Sequence, residues 1–355
     1  MESPGVSVIV GGMVKRVLML YPEFPDTFWS FKHALTFVFK RAALPPLGLM
    51  TVASMLPQAW EKRLIDLNVR RLRDRDLAWA DVVFISAMIA QRDSVRALIQ
   101  RCKAAGKTVI AGGPLFTSAH DEFEEVDHFV LREAELSLPA FLADFAAGTA
   151  RRIYTSEGFP AMDSTPVPRW DLAEMGRYGS MSLQYSRGCP FDCEFCDVTA
   201  KFGRRSRVKS AEQVLAELDA LADAGWRGPV FFVDDNFIGN KRRLRTELLP
   251  ALTQWQRSRR YPFNFYTEAS INLADDEALT EQIVNAGFDT DFIGIETPED
   301  AGLAECNKRQ NRGRDLVADT HKLHRAGLHV QGAPTVGPAP DTPPPCRPHM
   351  ELSPT

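Results

Sequence analysis

Short, continuous apolar runs alternate with stretches of helical period along the first 148 residues. Arg16–Tyr21 (RVLMLY), Arg63–Leu67 (RLIDL), Asp81–Ala87 (DVVFISA), Thr108–Gly112 (TVIAG) and His128–Leu131 (HFVL) are apolar at successive positions, which predicts strands covered on both faces. Helices are predicted between them over Arg92–Ala105, closed by Gly106, and Ala134–Ala147, closed by Gly148. This repetition implies an α/β fold, a doubly wound parallel sheet of about five strands that binds ligands at the carboxyl ends of its strands. Ser86, Gly112 and Gly113 stand at such ends. They are expected to receive a large flat ligand, the other reading being a tight turn that needs glycine.

Residues 149–180 hold Pro160, Pro166 and Pro168 and little periodicity, so they are expected to be a linker. A second strand–helix series follows, with strands predicted over Ser182–Ser186, Pro229–Val233, Phe263–Glu268, Phe292–Glu296 and Leu328–Gln331. Ser210 and Gln213 form a capping box ahead of Val214, Leu215, Leu218 and Leu221. Further helices run over Glu277–Ala286, stopped by Gly287, and near Asp315–Ala326, stopped by Gly327. Five β/α units predict a partial barrel over residues 181–333.

Composition narrows the class. The chain has 355 residues, 45% hydrophobic and 25% charged, with a formal net charge of −4. These values fit a soluble globular protein of about two domains. The longest apolar stretch, Val82 to Ala90, is too short to span a membrane, and the near-neutral balance speaks against a dedicated nucleic-acid partner. Six cysteines are too few for a disulfide scaffold, and the first residues lack a basic region and a clear cleavage site. Both point to the cytoplasm.

Three of the cysteines fall together in Cys189-Pro-Phe-Asp-Cys193-Glu-Phe-Cys196, just after a predicted strand. Three thiolates this close suit one metal centre. Structural zinc wants four closed ligands, but His128, Cys102, Cys306 and His321 are distant in sequence. An iron–sulfur cluster is favoured; its usual four cysteines would here be three, leaving one iron open. Zinc and unliganded thiols are the alternatives. Cys102, Cys306 and Cys346 read as bystanders.

The C-x3-C-x2-C spacing, with the aromatic Phe195 before the third cysteine, resembles the radical S-adenosylmethionine superfamily. The resemblance implies that Cys189, Cys193 and Cys196 hold a 4Fe–4S cluster whose open iron is chelated by S-adenosylmethionine, cleaved by one electron to a 5′-deoxyadenosyl radical. It also implies cofactor contacts at Phe195; at Asp234, Asp235 and Asn236 beside the methionyl amine; at Glu268 and Ser270 beside the ribose; and at Gly294 and Glu296 near the adenine. For each acid, a strand-end turn or helix cap is the other reading. The basic run Lys201–Lys209 (KFGRRSRVK) reads as a solvated loop or as a counterweight to an anionic cluster.

A doubly wound domain over residues 13–148, with Ala111-Gly112-Gly113-Pro114 ending its fourth strand, resembles the cobalamin-binding branch of that superfamily. Asp127-His128 is not followed by the Asp-x-His-x-x-Gly pattern, so a histidine beneath the cobalt is expected to be absent or different. Gln184–Cys189, Gly203-Arg204 and Val233–Asn240 are similar to hopanoid C-2 methylases. The implied activity is C-methylation of an unactivated carbon in a hydrophobic or lipid-like substrate, with flavodoxin or ferredoxin as electron donor. The alternatives are oxidation, cyclisation or rearrangement with the same cofactors, and a non-catalytic iron–sulfur module.

The two ends change character. Eight of the 24 prolines lie from Pro334 onward, so residues 334–355 read as an irregular tail that cuts the fifth barrel strand short, as if the end were truncated and a sixth strand missing. Residues 1–12 read as an extension ahead of Met13.

Overall fold

The computed structural model describes residues 16–27 and 30–334. Contacts divide the chain into two compact units, one reaching residue 160 and including 164–178, the other made of 161–163 and residues from 179 onward. Both predicted ends, residues 1–12 and the stretch after Pro334, lie outside the described residues.

The first unit is built on six strands: β1 (Arg16–Tyr21), β2 (Glu61–Asp66), β3 (Val82–Ser86), β4 (Thr108–Gly112), β5 (His128–Val130) and β6 (Ile153–Tyr154). Their order is β2-β1-β3-β4-β5-β6, parallel throughout. The continuous apolar runs are explained by burial on both faces: Leu18, Leu20, Val83, Ile85, Val109 and Phe129 pack with Val95, Leu98, Leu115 and Phe116 from the covering helices. The helices Arg92–Ala104 and Ala134–Ala147 lie where predicted. Cys102 sits at 0% exposure in this core, and burial pushes its thiol up to about 11. The stretch 149–180 is more tightly held than a linker. It supplies β6 to the sheet edge, and Tyr178 donates its hydroxyl to the buried Asp66 at 3.1 Å.

The second unit contains β7 (Met181–Leu183), β8 (Ser186–Arg187), β9 (Arg207–Val208), β10 (Gly228–Phe232), β11 (Phe263–Glu268), β12 (Phe288–Glu296) and β13 (His329–Pro334). Five of them form a parallel sheet in the order β13-β12-β11-β10-β7, while β8 and β9 pair antiparallel. Phe232, Phe237, Phe265 and Phe288 interlock beneath it, with neighbouring ring centroids 4.8–5.5 Å apart. The helix Ala211–Asp223 opens on the predicted box, Gln213 N donating to Ser210 Oγ at 3.2 Å and Ser210 N to Gln213 Oε1 at 3.0 Å.

Three predicted strands need correction. Ser182–Ser186 breaks after Leu183, because the buried carboxylate of Asp234 takes the amides of Tyr185 and Ser186 from the ladder. β12 starts at Phe288 rather than Phe292; Asp289 and Asp291 interrupt its apolar pattern without ending the strand. β13 runs through Gln331 to Pro334, which registers with Glu296. Proline is tolerated there because β13 is an edge among the described residues and Pro334 is its last position.

Candidate functional site

All three clustered cysteines lie on one loop closed at its neck by two residue pairs, Ser186 with Val208 and Arg187 with Arg207. Gly188 enters that loop at φ +93°, where a Cβ would stand 2.8 Å from the carbonyl oxygens of Gly203 and Arg205. Only glycine fits this position. Cys189, Cys193 and Cys196 are partly buried and unbridged. Each sulfur has a donor beside it: the Phe191 N–H and the Asn236 side chain at Cys189, the Val198 N–H at Cys196, and Gln310 Nε2 at Cys193, 3.6 Å away. Burial is the main cause that raises the thiols of Cys189 and Cys196.

Among the described residues, no three His, Cys, Asp or Glu side chains converge on a point that would hold a single metal ion. A 4Fe–4S cluster is wider than an ion and takes its thiolates spread apart, each with hydrogen bonds to sulfur. The donor set therefore fits a cluster better than zinc.

Beside the loop lie the carboxyl ends of β10, β11 and β12. Asp234, 1% exposed, accepts N–H groups from Tyr185 (3.1 Å) and Ser186, and burial lifts its carboxyl to about 7. Its oxygens therefore shape the turn that leads to Cys189. Asp235 accepts the Gly188 N–H, and burial raises its carboxyl too. Asn236 donates to Ser270 Oγ at 3.2 Å, and Ser270 donates to Asn272 Oδ1 at 2.6 Å. The Glu268 side chain makes no hydrogen bond among the described residues, while its backbone stays in register with Phe292. Burial, with Asp235 and Asp234 nearby, raises its carboxyl to about 7. An unpaired, half-buried acid at a strand end suits a cationic or hydroxyl-bearing ligand.

Asp291 is a further acid that the pattern did not single out. It is 1% exposed, neither oxygen has a hydrogen-bond partner among the described residues, and the Ala269 N–H beside it is taken by Phe292 O at 3.2 Å. Burial and Glu268 hold its carboxyl well above the usual range.

Sequence spacing also missed a clasp formed by residues 306–311. Glu194 N donates to Cys306 O (3.0 Å), Asn307 Nδ2 to Asp192 O (2.6 Å), and Asn311 Nδ2 to the Gly294 and Ile295 carbonyls (both 3.0 Å). Lys308 pairs with Glu296 at 2.5 Å and lies 5.7 Å from the ring centroid of Phe195, which is 59% exposed. A Cβ at Gly294 would strike Lys308 Nζ at 2.4 Å, so this glycine makes room for the ion pair. Cys306 is thus no remote bystander. The basic run is partly tied down: Lys201 pairs with Asp197, Arg204 with Asp192, and Lys209 with the buried Glu217.

In the first unit, Ser86, Gly112 and Gly113 meet at the ends of β3 and β4. A Cβ at Gly112 would lie 2.6 Å from Val130 O, and one at Gly113, where φ is +90°, 2.4 Å from Ser86 Oγ. Packing within the protein therefore already demands both glycines. Exposed Met88 and Ile89 follow the end of β3 and offer apolar surface. His128 Nδ1 contacts Arg151 O at 2.7 Å with its ring against Phe141, and Asp127 accepts from Lys103 and the Val109 N–H. These contacts tie Asp127 and His128 into the end of the sheet.

The family model of the radical SAM superfamily matches residues 183–340, and that of the B12 binding domain matches residues 41–142. An uncharacterized methyltransferase of Synechocystis sp. is 46% identical over 91% of this chain and 60% of its own length. The hopanoid C-2 methylase of Rhodopseudomonas palustris is 34% identical over 94% of this chain and 64% of its own. The chain thus spans somewhat under two thirds of these relatives. In fold it resembles the radical S-adenosylmethionine methyltransferase TsrM of Kitasatospora setae (TM-score 0.71, 16% identity, 95% of this chain and 71% of that one). It also resembles the cobalamin-dependent S-adenosylmethionine radical enzyme OxsB (TM-score 0.69, 18% identity, 90% of this chain and 49% of that one). No helix among the described residues is long and apolar enough to cross a membrane. With both matches in tandem and relatives aligned along most of its length, the chain carries a B12-binding domain followed by a domain of the radical S-adenosylmethionine superfamily.

Proposed function

We propose that this chain provides the core of a cobalamin-dependent radical S-adenosylmethionine methyltransferase acting on an unactivated carbon of a hydrophobic, lipid-like substrate in the cytoplasm. The observation that carries the reading is the closed three-cysteine loop, with a donor at each sulfur, in a chain aligned along most of its length with relatives named as an uncharacterized methyltransferase and a hopanoid C-2 methylase. When bound, the cluster and S-adenosylmethionine supply one-electron hydrogen abstraction, and cobalamin supplies the methyl group.

The protein's part is to hold and orient. Cys189, Cys193 and Cys196 hold the cluster, and Asp234 and Gly188 shape the loop that presents them. Asn236, Glu268 and Ser270 are assigned to the polar groups of S-adenosylmethionine, with Asp235 holding the loop's entrance beside them. Phe195 and the Glu296–Lys308 pair wall the other side. In the first unit Ser86, Met88 and Ile89, next to Gly112 and Gly113, are assigned to cobalamin. A low-potential donor such as flavodoxin or ferredoxin is assigned the electron supply.

The test is anaerobic reconstitution followed by iron, sulfide, cobalamin and 5′-deoxyadenosine analysis. Cluster absorption and deoxyadenosine release are expected in the wild type and lost in Cys193→Ala. A product heavier by one methyl group supports methylation; unchanged carbon count redirects the reading to oxidation or rearrangement. If Cys193→Ala only loosens folding, the chain is a non-catalytic module.

A further inference from the structure

We propose that Gln310 is a positioning residue that tunes the reduction potential of the cluster through an N–H···S hydrogen bond to Cys193. This inference rests on the cluster assignment above. Gln310 lies 117 residues from Cys193 in sequence, yet its Nε2 donates to Cys193 Sγ at 3.6 Å. The same side chain leaves its Oε1 buried with no hydrogen-bond partner. A glutamine present for packing alone would not hide an unsatisfied carbonyl oxygen, since an apolar side chain of that size fills the space without the desolvation cost. Among the described residues, the one polar contact its side chain makes is with sulfur.

The placement of that amide is rigid. On one side Asn311 is tied to the carbonyls of Gly294 and Ile295, and on the other Asn307 is tied to Asp192 O within the cysteine loop. Asn307 adopts a left-handed φ of +55°, a conformation that asparagine tolerates and that turns the chain back onto the loop. The clasp therefore fixes Gln310 relative to both β12 and Cys193. A donor fixed beside a ligand sulfur stabilises whichever cluster state carries more negative charge, and that is the state reached by taking one electron from a low-potential donor. Gln310 should thus make the cluster easier to reduce.

The test uses the full chain reconstituted with iron and sulfide, titrated with a chemical reductant under EPR. Gln310→Ala removes the donor, Gln310→Glu replaces it with an acceptor, and Gln310→Lys keeps an N–H donor of similar reach. The expected order of midpoint potential is Lys at or above wild type, then Ala, then Glu. The Ala variant should have a roughly tenfold less favourable reduction equilibrium, about 59 mV for a one-electron couple. Asn307→Ala, which loosens the loop but leaves the Gln310 amide and its Asn311 anchor in place, should release iron to a chelator faster and lower the potential by clearly less than Gln310→Ala does. Loaded variants with equal potentials, or a shift as large in Asn307→Ala, would overturn the inference while leaving the cluster assignment standing. A wild type that binds no cluster would sink both.

Discussion

Lys308 Nζ sits 2.5 Å from Glu296 Oε1 at the end of β12, with the two side chains only 10% and 12% exposed. Glu296 is held at φ +64°, a left-handed conformation that costs a side-chain-bearing residue. Breaking such a pair from one side leaves a charge in low dielectric. Lys308→Met should therefore destabilise the chain by about 3–5 kcal/mol, read as a shift in denaturant midpoint. The double variant Lys308→Met/Glu296→Gln should recover most of the loss; if it does not, the lysine acts by something other than charge.

The loop entrance offers a steric test. Gly188→Ala forces a Cβ to within 2.8 Å of two backbone carbonyls at a positive φ. Iron and sulfide content after reconstitution should fall several-fold. Gly176→Ala, where a Cβ meets nothing within 4 Å, should load like the wild type. Equal loading in both would show that the neck is soft.

Asp66 makes the first unit's stability depend on pH. Burial raises its carboxyl to about 6, although Asn68 and Tyr178 hydrogen-bond to it and pull the other way. Its folded pKa lies above the unfolded value near 4, so the folded state binds more protons in that window. Its contribution is present below about pH 4 and is lost as pH rises through about 6, about 3 kcal/mol in total. Asp66→Asn should flatten that part of the stability-against-pH curve, and an unchanged slope would assign the effect to other acids.

Asp291 should be a net cost to the fold. It is buried on a central strand, and neither oxygen has a hydrogen-bond partner among the described residues. Asp291→Val, which suits a strand and carries no polar atom, is expected to stabilise the chain by about 1–2 kcal/mol, read as a higher denaturant midpoint. A decrease would mean that the carboxyl has a bonding role.

The chain's architecture was readable where one local rule dominates. Continuous apolar runs marked β1, β3 and β4 because both faces of a parallel sheet are covered. Ser210 with Gln213, and the glycines after Ala147 and Ala326, marked helix ends because capping is local. The cysteine triad was equally plain, since its spacing is contained in eight residues. What spacing could not reveal was pairing across the chain. Gln310, Lys308 and Asn311 look like an ordinary polar turn until β12 and the cysteine loop are brought to them. The role of Asp234 was hidden in the same way: an acid after an apolar strand reads as a ligand contact, and only the positions of Tyr185 and Ser186 show it holding backbone. For Gly112 and Gly113 the residue type was informative, but the close neighbours Val130 and Ser86 come from the sheet.

The two-pair neck between β8 and β9 has a kinetic consequence. Four residues, Ser186, Arg187, Arg207 and Val208, close everything from Gly188 to Ser206. Opening so short a ladder requires far less free energy than unfolding the aromatic core beneath it. A cluster held in the loop would then leave at a rate governed by the opening of this neck and of the contacts at residues 306–311, rather than by global unfolding. A protein with a very high melting temperature would still lose iron quickly if that neck were weakened, and reinforcing the neck would prolong occupancy without raising the melting temperature.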